Sequence, residues 1–463
     1  MREAFLDYFR CPEIFAQFAL RGDLSKDCGY FRFGQDATCF GRSSSGFRAK
    51  GPGDGLYNVL ADVSIENTAC RLPFDPTEII DNLRYERFAN FNAGSKNISG
   101  GAPLTTAYYS MRPLLPVSMR RHLQRMRLKG WEKIPFPHWP VDRTVEYILK
   151  KLLALSLQAH NVAEIPFVWF WPRGVGSCAI VTHDVETAAG RDFCSELMDI
   201  NDAAAIKSSF QIVPEKRYPV PESFLDDIRR RGFEINIHDL NHDGKLFSGR
   251  EEFLRRAQRI NRYAKEYGAR GFRSGVLYRK ADWYGAFELV YDMSIPNVAH
   301  LDPQRGGCCT VTPYFIGNIL ELPVTTTQDY SLFHILSDYS IGLWERQMNL
   351  IMEDHGLISF IIHPDYILQE CARKTYEELL SYLAQLRAEG KLWIALPGEV
   401  ADWWRQRSRM KLVSQGNRWQ IAGAGREKAR IAYARLENGQ VRYHLEHEPE
   451  SATHDPRFAS DSR

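Results

Sequence analysis

The stretch SCAIVTHDVE, residues 177–186, decides the fold of this 463-residue chain. Its apolar run has the length of a buried strand and ends on two acids, Asp184 and Glu186. Further strand-like runs follow before Trp404: SSFQIV (208–213), FEINIH (233–238), GFRSG (271–275), YDMSIP (291–296), ILELPV (319–324), LISFIIHP (357–364) and LWIALP (392–397). Helical patterns lie between several of these runs. Alternating strands and helices predict an α/β fold, a distorted (β/α) barrel of about seven parallel strands.

The remainder of the chain predicts two smaller β units. The expected segments are an N-terminal β-containing accessory module (1–140), the barrel (141–405), a small C-terminal β meander (406–447) and a disordered tail (448–463). Residues 1 to about 105 are rich in Gly, Ser and aromatic residues, with short strand-like runs. In the meander, Asn438-Gly439 is a strong hairpin signal.

Composition excludes several classes of protein. There are 59 Lys and Arg against 57 Asp and Glu, so the chain has no overall field that would attract nucleic acid. No signal peptide and no apolar run long enough for a membrane span are recognised. The nine cysteines are scattered and odd in number, which is unlike a disulfide framework. We therefore expect a cytoplasmic protein.

Residues 112–129 form a basic amphipathic segment that contains no acid. Its cations are Arg112, Arg120, Arg121, Arg125, Arg127 and Lys129. Such a segment can lie on an anionic bilayer, which would bring the chain to the inner surface of the membrane. The alternative is a solvated helix face packed on its neighbour, and this is the commoner case in soluble proteins.

Residues with catalytic chemistry follow several of the predicted strands. They are Asp184 and Glu186, His238 and His242, Arg273, and His363. Because parallel strands bring their carboxyl ends to one edge, these side chains can converge on one pocket. Two histidines and a carboxylate form a metal site with open positions, which leaves a carboxylate, an arginine and a histidine for acid–base work. Singly, each residue also has a structural interpretation: a histidine pair without metal, a helix N-cap at Asp184, or an ion-pair arginine at Arg273.

The order of these motifs resembles the polysaccharide deacetylase family, also called the NodB-homology group or carbohydrate esterase family 4. The resemblance covers Ser177 to Trp404. The stretch Thr182–Glu186 resembles the first family motif in its spaced form, which implies Asp184 as base and Glu186 as a metal ligand. His238 and His242 match the second motif, with Asp239 where the family has Ser or Thr.

The later motifs match less evenly. Arg273 fits the arginine that holds the base, although Gly275 stands where the family has Pro. Ile361 to Pro364 matches the strand that ends in His-Pro, which implies His363 as the acid. Glu321-Leu322-Pro323 followed by Asp329 resembles the motif whose acid pairs with that histidine, but the customary Trp is absent.

The resemblance implies a metal-dependent hydrolase that removes an N-acetyl group from an amino sugar. Its cofactor would be a divalent metal, with Zn²⁺ first and other transition metals as alternatives. Its partner would be an N-acetylated saccharide, or a lipid-linked or nucleotide-linked sugar, without nucleic acid. Two alternatives stay open: a catalytically inactive barrel that binds glycan, and a hydrolase of a non-sugar C–N bond.

Overall fold

The computed structural model describes residues 1–46, 48–53, 55–89, 128, 130–416 and 418–446. The basic segment 112–129 lies outside the described residues except for Leu128, and the predicted tail 448–463 lies outside them entirely.

The N-terminal part combines two helices with short strands. The helices are α1 (Glu3–Phe9) and α2 (Pro76–Arg84), and the strands are β1 (Phe18–Leu20), β2 (Gly29–Arg32), β3 (Thr38–Gly41), β4 (Ser64–Glu66) and β5 (Ala69–Leu72). Strands β1, β5 and β4 form one sheet, and β2 and β3 form a hairpin. Helix α2 begins after Asp75, whose side chain accepts hydrogen bonds from the backbone N–H groups of Thr77 and Glu78. A β-containing module was expected here, and β-strands are found.

The central sheet has the predicted α/β organisation. After α3 (Thr144–His160) and β6 (Glu164–Val168), its strands are β7 (Ser177–Val185), β8 (Ser209–Ile212), β9 (Glu234–His238), β10 (Gly271–Arg273), β11 (Tyr291–Asp292), β12 (Tyr314–Ile316), β13 (Ile319–Glu321), β14 (Leu357–Ile362) and β15 (Leu392–Ile394). The order is β12-β13-β11-β10-β9-β8-β7-β14, with β15 paired to β7. Every pairing is parallel except that of β12 with β13. The prediction of an α/β fold with a distorted barrel of mainly parallel strands is confirmed.

Six further helices lie among the described residues of this part of the chain. They are α4 (Ala188–Ala203), α5 (Glu222–Arg230), α6 (Arg250–Tyr267), α7 (Gly342–Met352), α8 (Glu370–Ala388) and α9 (Pro397–Arg409). Helices α4 to α8 cover the outer face of the sheet, whereas α9 packs with the inner core described below. Short 3₁₀ turns occur at Glu13–Phe15, Val59–Asp62, Trp131–Lys133, Pro172–Gly174, Gly275–Leu277, Ala281–Ala286 and Arg426–Lys428, and a π-helical turn at Ser331–Leu336. Between sheet and helices lies an outer core, which includes Val181, Phe210, Ile237, Phe272, Phe360 and Leu379.

A second, inner core fills the barrel at the amino ends of its strands. Strand β7 shows the alternation, because Ala179 and Val181 join the outer core whereas Cys178 and Ile180 join the inner one. The inner core also contains side chains of α3 and of the N-terminal module, including Phe5, Phe9, Phe31, Ile79, Ile148 and Leu152. The N-terminal module therefore packs into one apolar cluster with the barrel strands.

Side chains close the barrel where backbone pairing ends. Thr325 Oγ1 donates to Leu357 O at 2.8 Å and accepts from Ser359 N at 2.9 Å. Thr326 Oγ1 donates to Ser359 O at 2.7 Å. Because both threonines follow β13, these bonds join that end of the sheet to β14, and they bring the segment that carries Asp329 beside the strand that carries His363.

The C-terminal unit consists of two hairpins. Strands β16 (Lys411–Gln415) and β17 (Arg418–Ala422) form the first, and β18 (Ile431–Glu437) and β19 (Gln440–Leu445) form the second. The predicted turn at Asn438-Gly439 joins β18 to β19, with φ values of 50° and 77°. Strand β6 pairs with β18, so the second hairpin continues as a three-stranded sheet. No local pattern near residue 164 indicated that pairing.

Candidate active site

The carboxyl ends of the central strands carry the candidate site. Arg273 is the last residue of β10 and pairs in register with His238, the last residue of β9. Asp184 is the penultimate residue of β7. Thr187, and not Asp184, caps helix α4, because its side chain accepts a hydrogen bond from Gly190 N at 3.0 Å. The Asp184 carboxylate is therefore not used as a helix cap.

Glu186, His238 and His242 form a compact cluster with metal-ligand chemistry. Their ligand atoms all lie within 4.8 Å of one another. Glu186 Oε1 lies 2.9 Å from His242 Nε2 and 3.4 Å from His238 Nε2. The backbone of Asp239 and of His242 is left-handed, with φ of 56° and 54°, so the chain turns sharply after β9 and brings the second histidine back beside the first.

The cluster fits a divalent transition metal. His242 Nε2 is buried and, among the described residues, has no hydrogen-bond partner of good geometry. His238 Nδ1 lies 3.1 Å from Arg273 O, which leaves His238 Nε2 directed at the cluster. Metal-bound histidines commonly use one ring nitrogen for a backbone carbonyl in this way. Two imidazole nitrogens and one carboxylate are a donor set that suits Zn²⁺ and its neighbours.

The electrostatics of the cluster favour an ionised carboxylate. Burial opposes the charge of Glu186, but His242, His238 and His363 outweigh it and hold its pKa well below its usual range. Burial likewise opposes a charge on His242, yet Glu186 raises the pKa of that imidazole. A cation would thus meet a carboxylate that is already deprotonated.

Asp184 and Arg273 form a buried ion pair beside the cluster. Arg273 Nη1 donates to Asp184 Oδ1 and to Thr182 Oγ1, each at 2.7 Å, and Arg273 Nε donates to Met293 O at 2.9 Å. The arginine side chain is fully buried. Although burial opposes ionisation, Arg273 and the neighbouring histidines lower the pKa of Asp184. Asp184 Oδ2 lies 3.7 Å from His238 Nε2, so this second oxygen faces the cluster.

His363 and Asp329 form a second buried pair beside Glu186. His363 Nδ1 lies 2.6 Å from Asp329 Oδ1, and His363 N donates to Asp329 Oδ2 at 2.7 Å. His363 Nε2 lies 3.4 Å from Glu186 Oε1. Burial disfavours the charged imidazole, but Asp329 and Glu186 outweigh burial and raise the pKa of His363 well above its usual value. The imidazole can therefore carry a proton into the site.

The structure brings together all seven residues that the sequence singled out: Asp184, Glu186, His238, His242, Arg273, Asp329 and His363. Other residues of the same motifs lie elsewhere. His183 faces the outer core, where its ring lies 3.4 Å from Tyr376 OH and burial lowers its pKa to about 3. Glu321 accepts a hydrogen bond from Ile295 N, so it does not pair with His363.

Sequence reasoning missed contacts that depend on close approach. A Cβ atom at Gly275 would lie 2.6 Å from Asp239 Oδ2 and 2.9 Å from His242 Cδ2, so only glycine fits beside the second histidine. The ring of Tyr366 lies 4.7 Å from that of His363 at an angle of 35°. The departure from the family's Pro at 275 was the signal for the first contact. For Tyr366, the sequence offers only its position three residues after His363.

Comparisons with known proteins give similarity at the level of solved structures. A polysaccharide deacetylase from Mycobacterium smegmatis is 18% identical over 51% of this chain and 93% of its own, with a TM-score of 0.43. A family 4 acetyl xylan esterase from Clostridium thermocellum, solved with a cobalt ion, is 14% identical over 49% of this chain and 91% of its own, with a TM-score of 0.31. A family 4 pseudoenzyme from Bacillus anthracis is 15% identical over 50% of this chain and 66% of its own, with a TM-score of 0.29. No family model matches the chain. No curated protein matches it either.

Among the helices that the structure describes, none combines the length and apolar character needed to cross a bilayer.

Proposed function

We propose that this chain is a metal-dependent hydrolase that removes an N-acetyl group from an amino sugar and releases acetate and a free amine. The observation that carries the proposal is that two buried pairs, Asp184–Arg273 and His363–Asp329, both lie beside one cluster of metal-ligating side chains. Amide hydrolysis needs one group that accepts a proton from water and another that gives a proton to the leaving amine. The two pairs supply one of each.

Glu186, His238 and His242 would hold the divalent metal, with Zn²⁺ as the first candidate. When bound, such an ion supplies Lewis-acid polarisation of an acyl carbonyl and lowers the pKa of a nearby water molecule. The three residues come from two adjoining parts of the site, so their positions depend on β7, β9 and the turn after β9.

Asp184 is the proposed general base. Arg273 keeps its carboxylate ionised and fixes one oxygen, while Oδ2 faces the cluster. The ionised carboxylate takes one proton from the attacking water as the oxygen of that water bonds to the acyl carbon.

His363 is the proposed general acid. Its Nδ1 is engaged by Asp329, so its Nε2 carries the proton that faces the site. When the C–N bond breaks, the electron pair stays on nitrogen, and His363 Nε2 gives that nitrogen its proton. The products are the acetyl group as acetate and the sugar as an amine.

The substrate that we propose is an N-acetylated saccharide, or a lipid-linked or nucleotide-linked precursor at the cytoplasmic face of a membrane. The half-buried Tyr366 ring beside His363 supports a sugar, because an aromatic face can stack on a pyranose ring. The basic residues of 112–129 would suit the lipid-linked form.

Acetate release tests the proposal. The parent, Asp184→Asn and the exposed control Asp226→Asn are freed of metal, reloaded with Zn²⁺ or Co²⁺, and assayed on N-acetylglucosamine oligomers, a UDP-linked sugar and a lipid-linked sugar. We expect Asp184→Asn to keep its metal but lose about 10²–10⁴-fold in rate, whereas Asp226→Asn stays active.

The other outcomes separate the alternatives. A parent that releases no acetate with any ion and binds the oligomers equally well without metal is an inactive glycan-binding barrel. A parent that hydrolyses small non-sugar amides but none of the saccharides is a hydrolase of another C–N bond.

A further inference from the structure

We propose that Glu86, which belongs to the N-terminal module, is a positioning residue of the candidate site. It holds the turn 274–278 against His242 and against an apolar wall that borders His363. The proposal rests on the proposed function in one respect, since it takes the three-residue cluster as the metal ligands. It assigns the N-terminal module a task that no sequence motif indicated.

Glu86 lies in a buried contact that joins three separate parts of the chain. Its carboxylate accepts hydrogen bonds from Arg279 Nε at 2.6 Å and from Gly307 N at 2.6 Å, and it also contacts Arg279 Nη2. Glu86 is 7% exposed and Arg279 is 3% exposed. Loss of one member of so buried a pair leaves an uncompensated charge, so the contact resists opening. The N-terminal module is thereby fastened to the loops that follow β10 and β11.

The fastened loop contains a strained turn. Val276 and Leu277 have φ values of 61° and 53°, in the left-handed region that side chains other than glycine rarely adopt. Such a conformation is an outlier for a β-branched residue, and it persists only where the surroundings impose it. Arg279 Nη1 donates to Leu277 O at 2.8 Å, so the guanidinium that pairs with Glu86 also holds this turn. At the near end of the turn, Ser274 N donates to Ser294 Oγ at 2.9 Å.

The turn touches the site at two places. Gly275 packs so closely on His242 and Asp239 that a Cβ atom there would overlap both side chains. The Leu277 side chain packs with Val324 and Ile361 in a small buried apolar cluster, and Ile361 lies two residues before His363. A shift of the turn would loosen the support of a metal ligand and move the wall beside the acid. The contacts that connect Glu86 with His242 and with the apolar wall run through Arg279 and the turn 274–278.

The test uses the full chain with Co²⁺ as the probe. Glu86→Gln removes the charge at constant shape, and Glu78→Gln is the matched control. Glu78 lies on the nearby helix α2 and pairs with Arg42, away from the turn. Co²⁺ affinity is measured by absorption titration, and amide hydrogen exchange is measured in a peptide that covers residues 270–282. Both readouts are independent of turnover.

We expect Glu86→Gln to weaken Co²⁺ binding about tenfold, since loss of a group that supports a metal ligand costs about 10–100-fold in metal affinity. We also expect it to speed amide hydrogen exchange in residues 270–282. Glu78→Gln should change neither the affinity nor the exchange. If Glu86→Gln does not fold, Arg279→Lys gives the same test, because one ammonium group cannot reproduce the guanidinium fork that reaches both Glu86 and Leu277 O. That variant is expected to show the same two effects.

A folded Glu86→Gln protein with parental Co²⁺ affinity and parental exchange overturns the proposal. An equal loss of affinity in Glu78→Gln also overturns it, since the effect would then be general destabilisation. A parent that binds no Co²⁺ contradicts the proposed function, and with it the link to His242. In that case unchanged exchange in 270–282 would show that Glu86 does not hold the turn either.

Discussion

The buried carboxyl group of Glu146 leads us to expect that the free energy of unfolding falls as the pH rises. Glu146 lies on α3 and is fully buried. Its Oε1 accepts hydrogen bonds from Thr310 Oγ1, Val311 N and Thr312 Oγ1, while its Oε2 is buried without a partner among the described residues. Burial, with a contribution from Asp354, raises its pKa from 4.5 to about 7.

The sign follows from the pKa difference between the folded and unfolded states. Because the folded pKa is the higher one, the folded state holds the proton more tightly. The stability contributed by that proton is fully present below the unfolded pKa of 4.5 and is lost as the pH rises through about 7. The difference between the pKa values of 4.5 and about 7 corresponds to roughly 3.5 kcal/mol, at about 1.4 kcal/mol for each tenfold change in the proton-binding constant.

Glu146→Gln isolates this effect, because an amide keeps the acceptor oxygen and never ionises. We expect the variant and the parent to have similar unfolding free energies at pH 4.5, and the variant to be more stable by up to about 3.5 kcal/mol at pH 8. Glu377→Gln, at an exposed position of α8, is the control and should track the parent at both pH values. Urea unfolding at the two pH values measures the difference. If the difference in unfolding free energy between Glu146→Gln and the parent were the same at both pH values, the reasoning would be refuted.

Three further outcomes concern the site and the basic segment. His242→Ala should lose most of the bound metal by elemental analysis, because two ligands make a poor site, whereas the exposed His444→Ala should retain it. Asp329→Asn should move the alkaline limb of the pH–rate profile to lower pH, because the carboxylate that raises the pKa of His363 is gone; an unmoved limb would assign that limb to another group. Glutamine in place of Arg120, Arg121, Arg125 and Arg127 should weaken binding to anionic liposomes by about 1 kcal/mol per cation, as measured by sedimentation. Equal, negligible binding by parent and variant would favour a solvated helix face.

Local periodicity explains why the barrel could be predicted from the sequence. The strands around Asp184, His238 and Arg273 are short strand-like runs, and parallel pairing brings their carboxyl ends to one edge of the sheet. Helix α6 lies between two of the predicted strands, where apolar residues recur with helical spacing. The convergence of the site is therefore a consequence of topology.

What could not be predicted depends on residues far apart in the chain. Strand β6 pairs with β18, more than 250 residues later, and Glu86 pairs with Arg279 across 193 positions. Nothing in the local pattern around either residue indicates its partner. The inner core also depends on residues far apart in the chain, because the side chains of the N-terminal module fill the barrel from one end. Such contacts depend on how the modules pack, which a single sequence does not encode in its periodicity.

The spacing of the two acids in the first motif has a simple structural reason. Residues two apart on a strand face the same side, so Asp184 and Glu186 both point into the barrel, while His183 and Val185 point to the outer core. Glu186 follows the last residue of β7, beyond the sheet pairing that fixes Asp184. From that position its longer side chain still brings Oε1 to 2.9 Å from His242 Nε2. Glutamate is therefore long enough to reach the second histidine from a position past the strand end.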